Sequence, residues 1–293
     1  MTARLRSFTL ICVLSLPILV HAQGVTTGPI DQALGRSGQK TGDVYKVSFP
    51  RTDLHVSVKG LAVKPGFALG SWGAFLGTDD HATVMGDLVL LEEEVNPVMA
   101  KLRSYHFEIS ALHNHLVEET PRVLYMHYMG QGSAMQLATS LRAALAVSKT
   151  PLEKPAAPAA EEPAPPAWVK TVEDAVGRKG TLKSGVLSYG IPRSDTITMS
   201  GMTIPPAAGV AEGINFQAAE SGNVATTGDF VLTADEVNPV LSELQGRNIL
   251  VTALHTHMLT EQPRLFFMHF WSVGSPESVG AGIKAALDKV HTK

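Results

Sequence analysis

The strongest constraint on this chain is that most of it is written twice. Residues 112–127 read LHNHLVEETPRVLYMH, and residues 254–269, at an offset of 142, read LHTHMLTEQPRLFFMH. The same offset relates DLVLLEEEVNPVMAKL (87–102) to DFVLTADEVNPVLSEL (229–244), SLRAAL (140–145) to GIKAAL (282–287), and FPRTD (49–53) to IPRSD (191–195). A tandem repeat of about 120 residues is long enough to bury its own core, so the fold must be two copies of one architecture. Between the copies, PLEKPAAPAAEEPAPPA (151–167) is almost all Pro, Ala and Glu. Such a stretch cannot build a core, and its prolines favour an extended spacer. The organisation expected is a first unit over 23–150, a linker over 151–167 and a second unit over 168–293.

Hydrophobic periodicity gives the class of each unit. A short helix (IDQALG; VEDAVG) leads into alternating strands, DVYKVSF, LHVSVKGLAV, WGAFLG and ATVMGDLVL in the first copy. A helix follows, with Thr233 and Glu236 at capping-box spacing in the second copy. Pro97 and Pro239 suit its first turns, where proline is tolerated. Two more strands, FEISALHNH and RVLYMHYM, and an amphipathic helix, SAMQLATSLRAAL, complete the unit. The expected fold class is α+β, a mainly antiparallel sheet with helices on one face.

The first 22 residues have a different logic. Arg4 and Arg6 precede the apolar run SFTLICVLSLPILV, and VHA ends in a small residue before Gln23. This is the pattern of a secretory signal peptide cleaved after Ala22, with a run short for a bilayer span. It implies a periplasmic or secreted protein with no membrane attachment after cleavage. The only cysteine, Cys12, lies in this segment, so the mature chain offers neither disulfides nor thiolate ligands. A formal charge of −3 supplies no basic excess for a phosphate backbone, which argues against nucleic acid as a partner.

Chemistry concentrates in the repeated histidine motif. Six of the eleven histidines belong to it: His113, His115 and His127, and His255, His257 and His269. On a strand, residues two apart share a face, which puts His113 and His115 about 7 Å apart along it. Where the hairpin register pairs odd with odd residues, His127 joins them; a shift of one turns it away. Glu119 and Glu261 follow in the connection as a fourth ligand, a base for metal-bound water or a partner for a ring N–H. Arg122 and Arg264 start the next strand, and their guanidinium forks suit an anionic substrate or a salt bridge to those glutamates. Three histidines and a carboxylate fit a divalent zinc, iron, copper, manganese or nickel ion by ligand type. Asp87 and Asp229 precede an apolar run, where turn chemistry is the plain reading and a part in the site the alternative. Trp72, Phe75, Phe270 and Trp271 are candidates for a pocket or for the core. No nucleophile elbow, phosphate-binding glycine loop or His-Glu-X-X-His helix is present.

The blocks GDLVLLEEEVNPV and ALHNHLVEETPRVLYMHYMGQG resemble the LppY/LpqO-like family of bacterial exported proteins. The resemblance spans nearly the whole mature chain as two family units, and it implies export without supplying an activity. The His-X-His-X₃-Glu spacing also resembles the first metal motif of cupins. Here, however, the third histidine follows the glutamate by only eight residues, and the cupin glycines are missing. The sequence therefore predicts an exported protein with one histidine-rich metal site per repeat. As an enzyme it would activate water for hydrolysis, with Glu119, Glu261, Arg122 and Arg264 as catalytic candidates. The alternative is a non-catalytic module for an anionic glycan or peptide of the cell envelope. Duplicated units often pack with approximate two-fold symmetry, an arrangement open to these two repeats.

Overall fold

The computed structural model describes residues 24–153 and 164–293. The segment expected to be a signal peptide, with Cys12, and most of the Pro/Ala/Glu stretch lie outside the described residues. The first unit runs α1 (Thr27–Leu34), β1 (Gln39–Thr41), β2 (Val44–Pro50), β3 (Ser57–Val58), β4 (Leu61–Ala62), α2 (Pro65–Ala68), β5 (Gly70–Gly77), β6 (Ala82–Leu91), α3 (Glu92–Ser104), β7 (Glu108–His113), β8 (Glu119–Thr120), β9 (Val123–Gly132) and α4 (Ala134–Leu145). The second runs α5 (Ala167–Val176), β10 (Thr181–Lys183), β11 (Val186–Pro192), β12 (Thr198–Met199), β13 (Met202–Thr203), β14 (Ala211–Ala218), β15 (Val224–Leu232), α6 (Ala234–Gln245), β16 (Leu250–His255), β17 (Phe266–Gly274) and α7 (Pro276–Leu287). Each unit holds a six-stranded antiparallel sheet, in the orders β1-β2-β5-β6-β9-β7 and β10-β11-β14-β15-β17-β16. The α+β class and the duplication read from the sequence are what the molecule has. Among the described residues, no helix is long and apolar enough to cross a membrane.

Each sheet is covered on both faces, and β6 records this in its sequence. Its run ATVMGDLVL is buried throughout, as strands enclosed on both sides are. Val84, Leu88 and Leu90 point to a core shared with Ile30, Val98 and Leu141 of the helices. Their alternates, Met85 and Val89, point the other way, toward the second unit. There Val44, Ala74 and Met85 pack with Ile197, Met199 and Phe267, and Val89 and Tyr125 pack with Val186 and Trp271. The two sheets thus face each other, with the helices outside. Paired side-chain bonds cross between the units: the Ser110 hydroxyl donates to the His257 carbonyl and the Thr252 hydroxyl to the His115 carbonyl. Those residues are related by the repeat offset, so the contact is approximately two-fold.

Three details differ from the sequence expectation. The run LHVSVKGLAV becomes the short pair β3–β4 in an arm whose Val56 and Phe67 reach the second unit's Trp271. Pro97 and Pro239 sit inside α3 and α6 rather than in their first turns. Glu94 and Glu236 do cap, accepting the Leu91 and Thr233 N–H groups, but each also meets a buried arginine. Arg51 donates to Glu94 and to the Val89 carbonyl at 2.7 Å, and Arg193 holds Glu236 at 2.7 Å. This clamps the start of the helix to the end of the preceding strand, β6 or β15, in both repeats, the work of the Arg in FPRTD and IPRSD.

Candidate metal centre

Register decides where the histidines go. In β7 and β9, Ala111 pairs with His127 and His113 with Tyr125, past a bulge between Ile109 and Ala111. Ala111 and His113 share a face, so His127 shares it too. In the second unit Ala253 pairs with His269 and His255 with Phe267. β7 and β16 end at His113 and His255, so His115 and His257 stand in the connection rather than on the strand. The chain bends back there, and the His113 and His115 rings are 5.0 Å apart.

The structure brings together the histidine triads of the two repeats, which the sequence reads as one site each. The two sheets meet on this face, so all six imidazoles form one cluster. The His113 and His255 rings stack at 3.6 Å, His115 lies 3.7 Å from His269, and His127 lies 3.6 Å from His257. Exchanging the repeats maps the first pair onto itself and the other two onto each other. A single-unit sequence reading has no signal for this pairing, because it depends on how the sheets dock.

The carboxylates that join the cluster are the aspartates. Asp87 pairs with His127 across β6 and β9, and Asp229 with His269 across β15 and β17. Asp87 Oδ2 lies 3.5 Å from His115 Nε2 and 3.9 Å from His127 Nε2, and Asp229 Oδ2 lies 3.4 Å from His257 Nε2. Each sits in mid-strand facing the histidines, so turn chemistry, the plain sequence reading, is not its role. The preceding glycines are required by close approach: a Cβ on Gly86 would come 2.1 Å from the Trp72 carbonyl, and one on Gly228 2.0 Å from that of Gly213. The Gly86 and Gly228 carbonyls accept from Nδ1 of His127 and His269, at 3.2 and 2.8 Å. That bond fixes the tautomer and leaves Nε2 as a bare lone pair directed into the cluster.

The other sequence candidates are placed elsewhere. Glu261 is fully buried, and both its oxygens bind Arg264 Nη1 at 3.2 Å while Oε1 also accepts the Leu265 N–H. Arg264 further donates to the Met258 and Leu259 carbonyls, so this pair orders the loop. Glu119 lies in β8 opposite Val58, and Arg122 is exposed. Phe75 and Phe270 are core, Trp271 packs edge-on against Phe67, and Trp72 lines the cavity described next.

The electrostatics are those of a largely buried, neutral nitrogen cluster. Burial holds all six imidazoles below their ordinary value, His255 to about 4. Burial raises Asp87 and Asp229 above the usual carboxylate range. Both ring nitrogens of His113, Nε2 of the other five histidines, and Oδ1 of both aspartates are buried without a hydrogen-bond partner. Unsatisfied buried polar atoms cost about 1–3 kcal/mol each, which makes this cluster a candidate seat for an ion. Three groups have ligand atoms within 4.8 Å of one another: Asp229, His255, His257 and His269; His113, His115 and His269; and His113, His127 and His255. Two of these draw on both repeats. Among the described residues, neither Glu119 nor Glu261 belongs to such a group. Beside the cluster lies a cavity of about 960 Å³, lined in part by Lys46, Trp72, Asp87, His257, Gly213 and Asp229. Burial lowers Lys46 to about 8, with Asp87 acting the other way.

Fold and site together define a duplicated α+β protein whose repeats share one histidine- and aspartate-lined centre able to hold a metal ion. The chain belongs to the family described as Domain of Unknown Function (DUF1259), whose model matches residues 28–147 and again residues 170–289. No curated protein and no solved structure matches the chain.

Proposed function

We propose that this protein binds a divalent transition metal at the centre shared by its repeats, drawing three or four ligands from His113, His115, His127, His255, His257, His269 and Asp229, with Asp87 beside them. One observation carries the reading: the Nε2 atoms of His127 and His269 are bare, aimed into the cluster and held by Nδ1 bonds to the Gly86 and Gly228 carbonyls. Neutral imidazoles with a fixed tautomer and carboxylates within reach are the donor set of zinc, iron, copper, manganese or nickel sites. The chemistry such an ion supplies is a water acidified toward neutrality, which suits hydrolysis of a substrate admitted by the adjoining cavity. The protein acts outside the cytoplasm in this reading, supported by the basic and apolar pattern of residues 1–22 and by the likeness to LppY/LpqO-like exported proteins.

The test is metal analysis of the purified full chain, followed by titration of the stripped protein with zinc, manganese and iron(II). Stoichiometric uptake is expected. Absence of bound metal and of any uptake would falsify the reading. Cell fractionation with and without residues 1–22 checks export, and recovery of the full chain in the cytoplasm would overturn that part.

A further inference from the structure

Away from the histidines, the two facing sheets stop being copies. The first unit's row through the centre reads Ser48, Trp72, Asp87, His127, and the second unit's reads Gly190, Gly213, Asp229, His269. The next row reads Lys46, Ala74, Met85 and Met129 in the first unit, but Ser188, Asn215, Thr227 and Trp271 in the second. Where the first sheet carries an indole and an ammonium, the second carries a glycine and a hydroxyl. Trp72 spans to the other unit, so that a Cβ on Gly209 would lie 2.7 Å from its ring. The Lys46 ammonium rests 3.8 Å from the Trp72 ring centroid. Opposite them, a Cβ on Gly213 would meet nothing within 4 Å. The missing side chain is the hollow: the cavity of about 960 Å³ has Gly213, Asn215 and Thr227 on one wall and Lys46 and Trp72 on the other.

We propose that this cavity is the binding site for one small organic anion per chain, its carboxylate or phosphate on the Lys46 ammonium and its body on the glycine-floored face of the second repeat. The volume is that of a pocket for a small molecule. Its lysines favour negative charge: Lys46 lies inside, Lys183 lines the cavity, and Lys64 is anchored to the Ser184 and Gly185 carbonyls. Among the described residues, the acids on its walls are Asp87 and Asp229, whose Oδ2 atoms lie 3.5 and 3.4 Å from His115 and His257. Ser188, Thr227 and Asn215 supply polar contacts on the second wall, although the Asn215 amide also donates to the Phe67 carbonyl. The substrate class deepens the metal reading and rests on it only for the wall formed by His257, His269 and Asp229. The duplication then has a consequence: the divergent positions convert a two-fold centre into a one-sided pocket, so one anion binds rather than two.

The repeats themselves supply the test variants. Lys46→Ser installs the second unit's residue at that place, and Gly213→Trp installs the first unit's. Calorimetric titration of the full chain with inorganic phosphate, and separately with malonate, is run with and without zinc, and metal content is measured in the same samples. One saturable anion site per chain is expected. Lys46→Ser should weaken it roughly tenfold or more, as for a lost charged hydrogen bond. Gly213→Trp should abolish it, Gly213→Ala should leave it unchanged, and all three should keep wild-type metal content. Two anions per chain, no saturable binding of either anion, or wild-type affinity in Lys46→Ser overturns the proposal; that last result decides even where Gly213→Trp does not fold. Lys46-dependent anion binding by protein that takes up no metal overturns the metal centre alone and leaves the pocket standing.

Discussion

His113→Phe is expected to stabilise the metal-free protein and to lose that advantage, or reverse it, when metal is bound. Both ring nitrogens of His113 are buried without a partner, and the ring stacks on His255 at 3.6 Å. Phenylalanine keeps the ring and its packing but removes both orphaned atoms. Each costs about 1–3 kcal/mol when buried unsatisfied, and even partial relief is about 1–2 kcal/mol. For a chain of this size that raises Tm by about 2–8 °C in the presence of chelator. With metal in thousandfold excess over Kd the wild type gains about 4 kcal/mol by linkage. His113 belongs to two of the three ligand groups, so its loss weakens binding at least as much as loss of a supporting residue, about 10–100-fold. At the upper end about 2.7 kcal/mol of the metal gain disappears, which exceeds the relief. Thermal unfolding of both proteins, in chelator and in excess zinc, should therefore show the variant's Tm gain in chelator cancelled or reversed in zinc. A variant less stable than wild type by the same amount in both conditions would refute the reasoning, because His113 would then be an ordinary core side chain.

His269→Ala removes a second-unit ligand from a group that includes His113 and His115. Metal titration should show affinity down by about tenfold or more, and an undisturbed site in the first repeat would break the case for a shared centre. Arg51→Met strips the partner from Glu94, which stays buried at the start of α3. Urea unfolding should record a loss of about 3–5 kcal/mol, the cost of half a buried ion pair, and a near-neutral result would show that water replaces the guanidinium. In chelator, stability should fall as pH drops below 6.5. The six histidines have folded values below their unfolded ones, so the unfolded chain binds protons first, and His255 loses its contribution between 6.5 and about 4. Asp87 and Asp229, raised by burial, act in the opposite sense, so the Asp87→Asn/Asp229→Asn variant isolates the histidine effect. Acid stability in that variant that is flat from pH 7 to about 4 would contradict the burial of the imidazoles.

Most of the fold was legible because periodicity and repetition report local, single-unit physics. The runs DVYKVSF and ATVMGDLVL became β2 and β6, and IDQALG and SAMQLATSLRAAL became helices, because their apolar positions suit one covering layer. The odd-with-odd parity of the three histidines followed from the register of β7 and β9. What the sequence did not disclose lies between the units. Asp87 was read as turn chemistry because it precedes an apolar run; in the sheet, its neighbour Gly86 lets the strand pass close to Trp72 and lends its carbonyl to His127. Glu261 looked like a ligand by spacing alone, whereas burial commits it to Arg264 and the Leu265 N–H. The burial of β6 on both faces was the one local sign that something covers the inner face. With helices assigned to a single face, that surplus of apolar side chains already required a second layer, and the second copy of the unit supplies it. Met85, packed with Ile197, Met199 and Phe267 of the second unit, is part of the apolar contact that brings two three-histidine motifs to one centre.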